Sequence, residues 1–174
     1  MTRRVFGITG WKNSGKTALT AALVGELGRR GYVVSTVKHA HHAFDIDRQG
    51  TDSFRHREAG AMEVAIVSGR RWALMHELRD AGEPELADVL AKLAPCDLVL
   101  VEGYKHDAHP KIETRRLEAR DRAPLTASSP NIVAIAADHP VRGETVPVFR
   151  LDDIAAIADF VETATGLAAR DPDG

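Results

Sequence analysis

One eight-residue run, Gly10-Trp11-Lys12-Asn13-Ser14-Gly15-Lys16-Thr17, constrains this chain more than any other stretch of it. It fits the pattern G-x-x-x-x-G-K-[ST], a loop that joins a buried strand to the start of a helix in α/β folds. The flanks agree. Residues 4–9 read as a short apolar strand, and residues 18–30 carry Leu19, Ala22, Leu23 and Leu27 at helical spacing. Gly10 and Gly15 let the backbone turn tightly and bring main-chain amides up to an anion with no Cβ in the way. The amides of the first helical turn, through Lys16, Thr17 and Ala18, add donors and a partial positive charge. The pattern assigns Lys16 to the β- and γ-phosphates and the Thr17 hydroxyl to Mg²⁺. The expected ligand is a nucleoside triphosphate with its Mg²⁺.

Composition narrows the setting. The 174 residues are 44% hydrophobic and 28% charged, as in a globular protein, and they suffice for one domain with a core of its own. That domain is expected over residues 1–168, with the polar end 169–174 as a frayed tail. A net charge of -2 gives no general attraction to nucleic acid or to an anionic membrane. No apolar run approaches the roughly 18 residues of a membrane span, and the start lacks the apolar core of a signal peptide. The single cysteine, Cys96, rules out an internal disulfide and suits a reducing compartment, so the cytoplasm is expected.

Further along, Gly31 ends the first helix and residues 32–38 are rich in β-formers, which makes a βαβ unit with two parallel strands in one sheet. Residues 38–53 form a polar segment leaving the carboxyl end of the second strand, where open α/β sheets place their ligands. His39, His41 and His42 lie in it, at a spacing that matches no zinc pattern. Its carboxylates Asp45, Asp47 and Asp52 are hard oxygen donors of the kind Mg²⁺ takes. Ser53 is expected to cap a short helix over residues 54–59. Residues 61–68 and 71–76 then read as strands joined through Ser68-Gly69-Arg70, an antiparallel hairpin. Such a hairpin inserted in a parallel domain is a candidate partner-binding arm, with Trp72 and Met75 either its apolar contacts or part of the domain's own core. Glu83-Pro84-Glu85 is expected to open the next helix, which carries Leu86, Val89, Leu90 and Leu93.

The run Asp97-Leu98-Val99-Leu100-Val101-Glu102-Gly103 reads as a central parallel strand. It should deliver Glu102 beside the phosphate loop, where a carboxylate holds the water shell of Mg²⁺ or orients an attacking water. Residues 111–113 give a short strand, and Lys105, Lys111, Arg115 and Arg116 face either an anionic ligand or solvent. Residues 132–138 make another buried strand ending at Asp138, which either accepts from a guanine's N1–H and exocyclic amine or simply turns the chain. A strand over 146–149 and a helix over 151–166 complete the pattern. The fold class expected is α/β: a three-layer P-loop NTPase sandwich with a mostly parallel central sheet between helices, plus the inserted antiparallel hairpin.

Taken in order, these motifs resemble the molybdopterin-guanine dinucleotide biosynthesis protein B (MobB) family. The resemblance runs from about Arg3 to Gly166. Besides the glycine loop it is carried by Val37-Lys38-His39, Asp45-Ile46-Asp47, Gly50-Thr51-Asp52-Ser53, Arg55-His56-Arg57-Glu58-Ala59-Gly60-Ala61, Val101-Glu102-Gly103-Tyr104-Lys105 and Pro110-Lys111-Ile112-Glu113. It implies a dimeric GTP-binding protein of weak hydrolytic activity. Such a protein assists a guanylyltransferase-type partner that attaches GMP to molybdopterin. By the same resemblance Asp52, or Asp47, shares Mg²⁺ with Glu102 and Thr17. The N-K-x-D guanine motif of many GTPases is absent from the sequence. Two other readings stay open on the residues themselves: a small-molecule kinase or ligase using ATP or GTP, and a nucleotide-gated dimeric interaction module.

Overall fold

The computed structural model describes residues 3–40 and 46–168. His41, His42 and Asp45, and the polar end at 169–174, lie outside them. The described residues fall into two compact units, one drawn from Met1–His39 and Leu86–Gly174 and the other from Ala40–Glu85.

The first unit is built on six parallel strands. In chain order they are β1 (Val5–Thr9), β2 (Val34–Lys38), β5 (Leu98–Glu102), β6 (Lys111–Arg115), β7 (Ile132–Ala137) and β8 (Val148–Arg150), and across the sheet they run β2-β5-β1-β6-β7-β8. The strand alternation decides which helix covers which face. Phe6, Ile8, Leu98, Leu100, Ile112 and Ala134 point one way and are covered by α1 (Lys16–Arg29) and α4 (Ile154–Thr165) through Leu19, Leu23, Leu27, Ile157 and Val161. Val37, Val99 and Val101 point the other way, beneath Leu86, Val89 and Leu90 of α3 (Leu86–Lys92). Three layers result, and every residue of β5 is buried, as its unbroken apolar run requires. Helix α3 starts only at Leu86, so Glu83-Pro84-Glu85 precedes the helix rather than forming its first turn.

Strand β6 is longer and more central than residues 111–113 suggest. Lys111, Glu113 and Thr114 are each buried there by dedicated partners. Glu113 accepts from the Leu125 amide at 3.0 Å and from Arg115 at 2.7 Å, and Arg115 also pairs with Glu144 at 2.7 Å. Arg115 is therefore taken up by two carboxylates of the protein itself.

The second unit holds α2 (Asp52–Glu58) and the hairpin of β3 (Glu63–Val67) with β4 (Trp72–His76). Thr51, not Ser53, caps α2, its hydroxyl accepting from the Phe54 amide. Asp47 explains the shift. Its Oδ1 accepts from the Thr51 and Ser53 hydroxyls and from the Arg48 amide, which holds the helix entry two residues earlier. In the hairpin, Val64 and Met75 face each other and are buried, whereas Val67 and Trp72 face each other with 74% and 69% of their surface exposed. Trp72 is thus not part of a core.

His109, in the segment leading into β6, lies against Gly7 of β1 and keeps a buried Nε2 with no hydrogen-bond partner among the described residues. Burial, aided by the Lys111 ammonium and opposed by Asp107, pushes its pKa down to about 4. A histidine ordinarily titrates near 6.5, so the unfolded chain takes up this proton first and folding loses stability as pH falls from about 6.5 toward 4. Allowing for partial solvent screening, the loss should be about 1–2 kcal/mol. Denaturant unfolding followed across that window should show the decline, and His109→Gln should flatten it.

Candidate functional site

The glycine loop connects β1 to α1 and curls through three positive-φ residues, Gly10 (146°), Asn13 (66°) and Gly15 (96°). Its curvature is fixed by a chain of hydroxyls. Thr114 of β6 donates to the Thr9 carbonyl at 3.0 Å, which uses its one proton, so Ser14 must donate to Thr114 across their 2.7 Å contact. Ser14 is 1% exposed and Thr114 equally so. A Cβ on residue 10 would stand 2.4 Å from Ser14 Oγ and 2.5 Å from Thr114 Oγ1, so only glycine fits.

Lys16 spans the loop, its ammonium donating to the carbonyls of Gly10 at 3.0 Å and Trp11 at 2.8 Å. Burial holds its pKa below the ordinary lysine value; the Glu102 charge opposes this, and the Lys105 and Lys38 charges reinforce it. Among the described residues no side chain caps α1, whose entry residue is Gly15, so the first-turn amides of Lys16, Thr17 and Ala18 are available to an anion. Lys12 and Asn13 are exposed at the rim.

Beside the loop, the Thr17 hydroxyl donates to Glu102 Oε1 at 2.9 Å. Glu102 ends β5, next to β1, with 7% of its surface exposed. A partly buried carboxylate and a hydroxyl at this separation are hard oxygen donors, the kind of set that fits Mg²⁺. The Lys38 ammonium lies 3.4 Å from the same Oε1 and 3.4 Å from Thr17 Oγ1.

Trp11 is held on both sides. Its indole N–H donates to the Ala123 carbonyl at 2.8 Å, and the Lys105 ammonium sits 4.2 Å from its ring centroid. The loop bearing Lys105 is organised from beneath by Lys111, which is fully buried and donates to the carbonyls of Tyr104 (3.2 Å), Lys105 (3.2 Å) and Asp107 (2.6 Å). Past Gly15 and Ala18 opens a cleft of about 750 Å³, walled by Arg116, Asp138, Pro140 and Leu151. Asp138 Oδ1 accepts from the Leu117 amide at 3.1 Å and lies 2.8 Å from His139 Nδ1, while Oδ2 is 3.5 Å from Arg116 Nε. The His139 contact, with further help from Leu117 and Arg116, lowers the Asp138 pKa against the opposing effect of burial.

Asp47 and Asp52 belong to the second unit. There Asp47 binds Thr51 and Ser53, and Asp52 stands exposed in the first turn of α2. Among the described residues, no group of three or more histidine, cysteine or acidic side chains is arranged to hold a metal.

Residues 5–138 match the sequence model of the family described as Molybdopterin guanine dinucleotide synthesis protein B, or MobB. The chain belongs to the MobB family. It is 38% identical over 161 residues to the Haemophilus influenzae protein named molybdopterin-guanine dinucleotide biosynthesis adapter protein, covering 91% of this chain and 87% of that one. The Escherichia coli protein of the same name is 36% identical over 153 residues, 87% of each chain. The crystal structure of a MobB homologue from Bacillus stearothermophilus superposes with a TM-score of 0.69 at 32% identity, covering 92% of this chain and 99% of that one.

In this MobB chain the structure brings Gly10–Ala18 and Glu102 together at the carboxyl ends of the interior strands β1 and β5 and puts Asp138 on the cleft beside them. It also adds residues that sequence reasoning did not single out as site residues, Lys38 and Thr114. Lys38 was visible only as part of Val37-Lys38-His39, and Thr114 only as a polar residue at a strand end. Gly10→Ala should cost about 2–4 kcal/mol in urea unfolding, because the new methyl group has no vacant space to enter. Gly69→Ala, at a position with nothing within 4 Å, is the control and should stay within about 0.5 kcal/mol.

Proposed function

We propose that this chain is a Mg²⁺-dependent GTP-binding adapter with weak GTPase activity. In this reading it serves molybdenum cofactor maturation by aiding the guanylyltransferase-type partner that attaches GMP to molybdopterin. The observation that carries the reading is the 2.9 Å contact between Thr17 and Glu102 at the mouth of a cradle whose amides face no capping side chain. The names of the 36–38% identical relatives supply the pathway.

Each part then has a task. The amides of Asn13 and of residues 15–18, with the Lys16 ammonium, bind the phosphates. Thr17 and Glu102 would hold Mg²⁺, and the ion would neutralise charge on the phosphate oxygens. Lys16 stabilises charge on the leaving phosphate, and Glu102 orients water. The cleft beyond Ala18 takes the base. Asp138 Oδ1 already accepts from one or two neighbours, so Oδ2 is the oxygen left to read a guanine's N–H groups. The exposed Val67–Trp72 pair of the hairpin serves homodimerisation, since a two-stranded sheet with an apolar face gains by being covered. Among the described residues no helix is long and apolar enough to cross a membrane, consistent with an adapter at work in the cytoplasm.

Calorimetric titration with GTP and Mg²⁺ should give a dissociation constant on the order of micromolar. Lys16→Ala should weaken it by at least about a hundredfold, and Glu102→Gln should raise the Mg²⁺ needed for half-maximal binding by about tenfold. An unchanged affinity in Lys16→Ala would remove the phosphate-binding reading. In sedimentation equilibrium the parent should be a dimer, and Trp72→Ala should raise its dissociation constant by about tenfold or more; a monomeric parent would refute the hairpin interface.

A further inference from the structure

Lys38 has no part in the reading above, yet its position is fixed as firmly as that of Glu102. The two are register partners at the ends of adjacent parallel strands, and the His39 amide donates to the Glu102 carbonyl at 2.9 Å just beyond them. From that rigid base a four-carbon stem carries the ammonium to 3.4 Å from both Glu102 Oε1 and Thr17 Oγ1, with 59% of the side chain still exposed. Both contacts are longer than a good charge-assisted hydrogen bond, and an exposed lysine pair of this kind is readily exchanged for a stronger partner. Lys16 is satisfied differently, by two carbonyls on the opposite, Gly10 side of the loop. Of the two ammonium groups, Lys16 is thus engaged by the loop backbone and Lys38 by the Glu102 carboxylate and the Thr17 hydroxyl.

Resting on the nucleotide reading above, we infer that Lys38 is the residue that tells a nucleoside triphosphate from its diphosphate. Its ammonium leaves the Glu102–Thr17 pair and binds the terminal phosphate, which releases both oxygens for Mg²⁺. The two ligands differ by one phosphoryl group and its negative charge, and Lys38 is the cation adjacent to the oxygens expected to share a metal with that group. A lysine suits the task better than an arginine because a compact point charge with three rotatable donors can change partners without needing a planar fork to be matched.

The test compares the parent with Lys38→Met and Lys38→Arg by calorimetry with GTP and with GDP at fixed Mg²⁺, then with GTP across a Mg²⁺ series. In Lys38→Met, GTP affinity should fall by about tenfold while GDP affinity stays within about twofold. The Mg²⁺ concentration for half-maximal GTP binding should fall in the same variant, because a cation competing for Glu102 has been removed. Lys38→Arg, which keeps the charge, should retain the triphosphate preference to within about threefold. Equal losses for GTP and GDP, or no loss for either, would overturn the assignment, as would a Mg²⁺ requirement that rises in Lys38→Met. If the parent binds GTP through Lys16 and only the Lys38 predictions fail, this inference alone is lost. If the parent binds neither nucleotide, the adapter reading fails and takes the inference with it. Thermal melting of each variant checks folding, and Lys38→Gln replaces the methionine variant if that one melts early.

Discussion

A hydroxyl on β6 gives the loop between β1 and α1 its shape. Thr114 can reach both the Thr9 carbonyl and Ser14 only because β6 pairs in parallel with β1, so that the two strands end side by side. On the other flank, β5 pairs with β1 and ends at Glu102, level with the first turn of α1. The phosphate cradle is therefore less a property of eight consecutive residues than of three neighbouring strand ends. Each contributes a group the others need: a hydroxyl to close the curve, a glycine to permit it and a carboxylate to face the threonine. Groups held on adjacent strands of a packed sheet keep their separations far better than groups on free loops, and a binding site gains from that rigidity.

Charge at the site is arranged with the same economy. Glu102 is nearly buried and meets a hydroxyl and a lysine, so its carboxylate is solvated by the protein rather than by water. Lys105 is drawn toward the loop by the Trp11 ring, and Lys111 holds the carbonyls that shape the Lys105 segment. Among the described residues no carboxylate is in hydrogen-bond contact with the Lys111 ammonium; three carbonyl dipoles take that place, which a buried cation tolerates only when its donors are filled.

Much of this was legible from the sequence, and the reasons differ by element. The β1–loop–α1 unit and β5 announce themselves, one by glycine and lysine at fixed spacing and the other by an apolar run that only an interior parallel strand needs. β6 hid because its residues are polar. Lys111, Glu113 and Thr114 look like a solvated edge until their partners, distant in sequence, are known. The cap of α2 was misplaced because Ser53 and Thr51 are chemically alike, and only the bonds from Asp47 choose between them. Trp72 read as possible core because large apolar residues usually are, and the exposed face of a two-stranded sheet is a tertiary fact. Lys38 was the hardest to see. A lysine closing a strand carries no local sign that a threonine 21 residues earlier and a glutamate 64 residues later converge on it.

The second unit leaves the chain after His39 and returns it at Leu86, and all six parallel strands lie outside that span. Only one residue separates Lys38 from the start of the excursion. The arm is thus a cassette in the literal sense. Whatever lengthens or shortens its hairpin end leaves the order and register of the six strands untouched, because none of their pairings runs through that span.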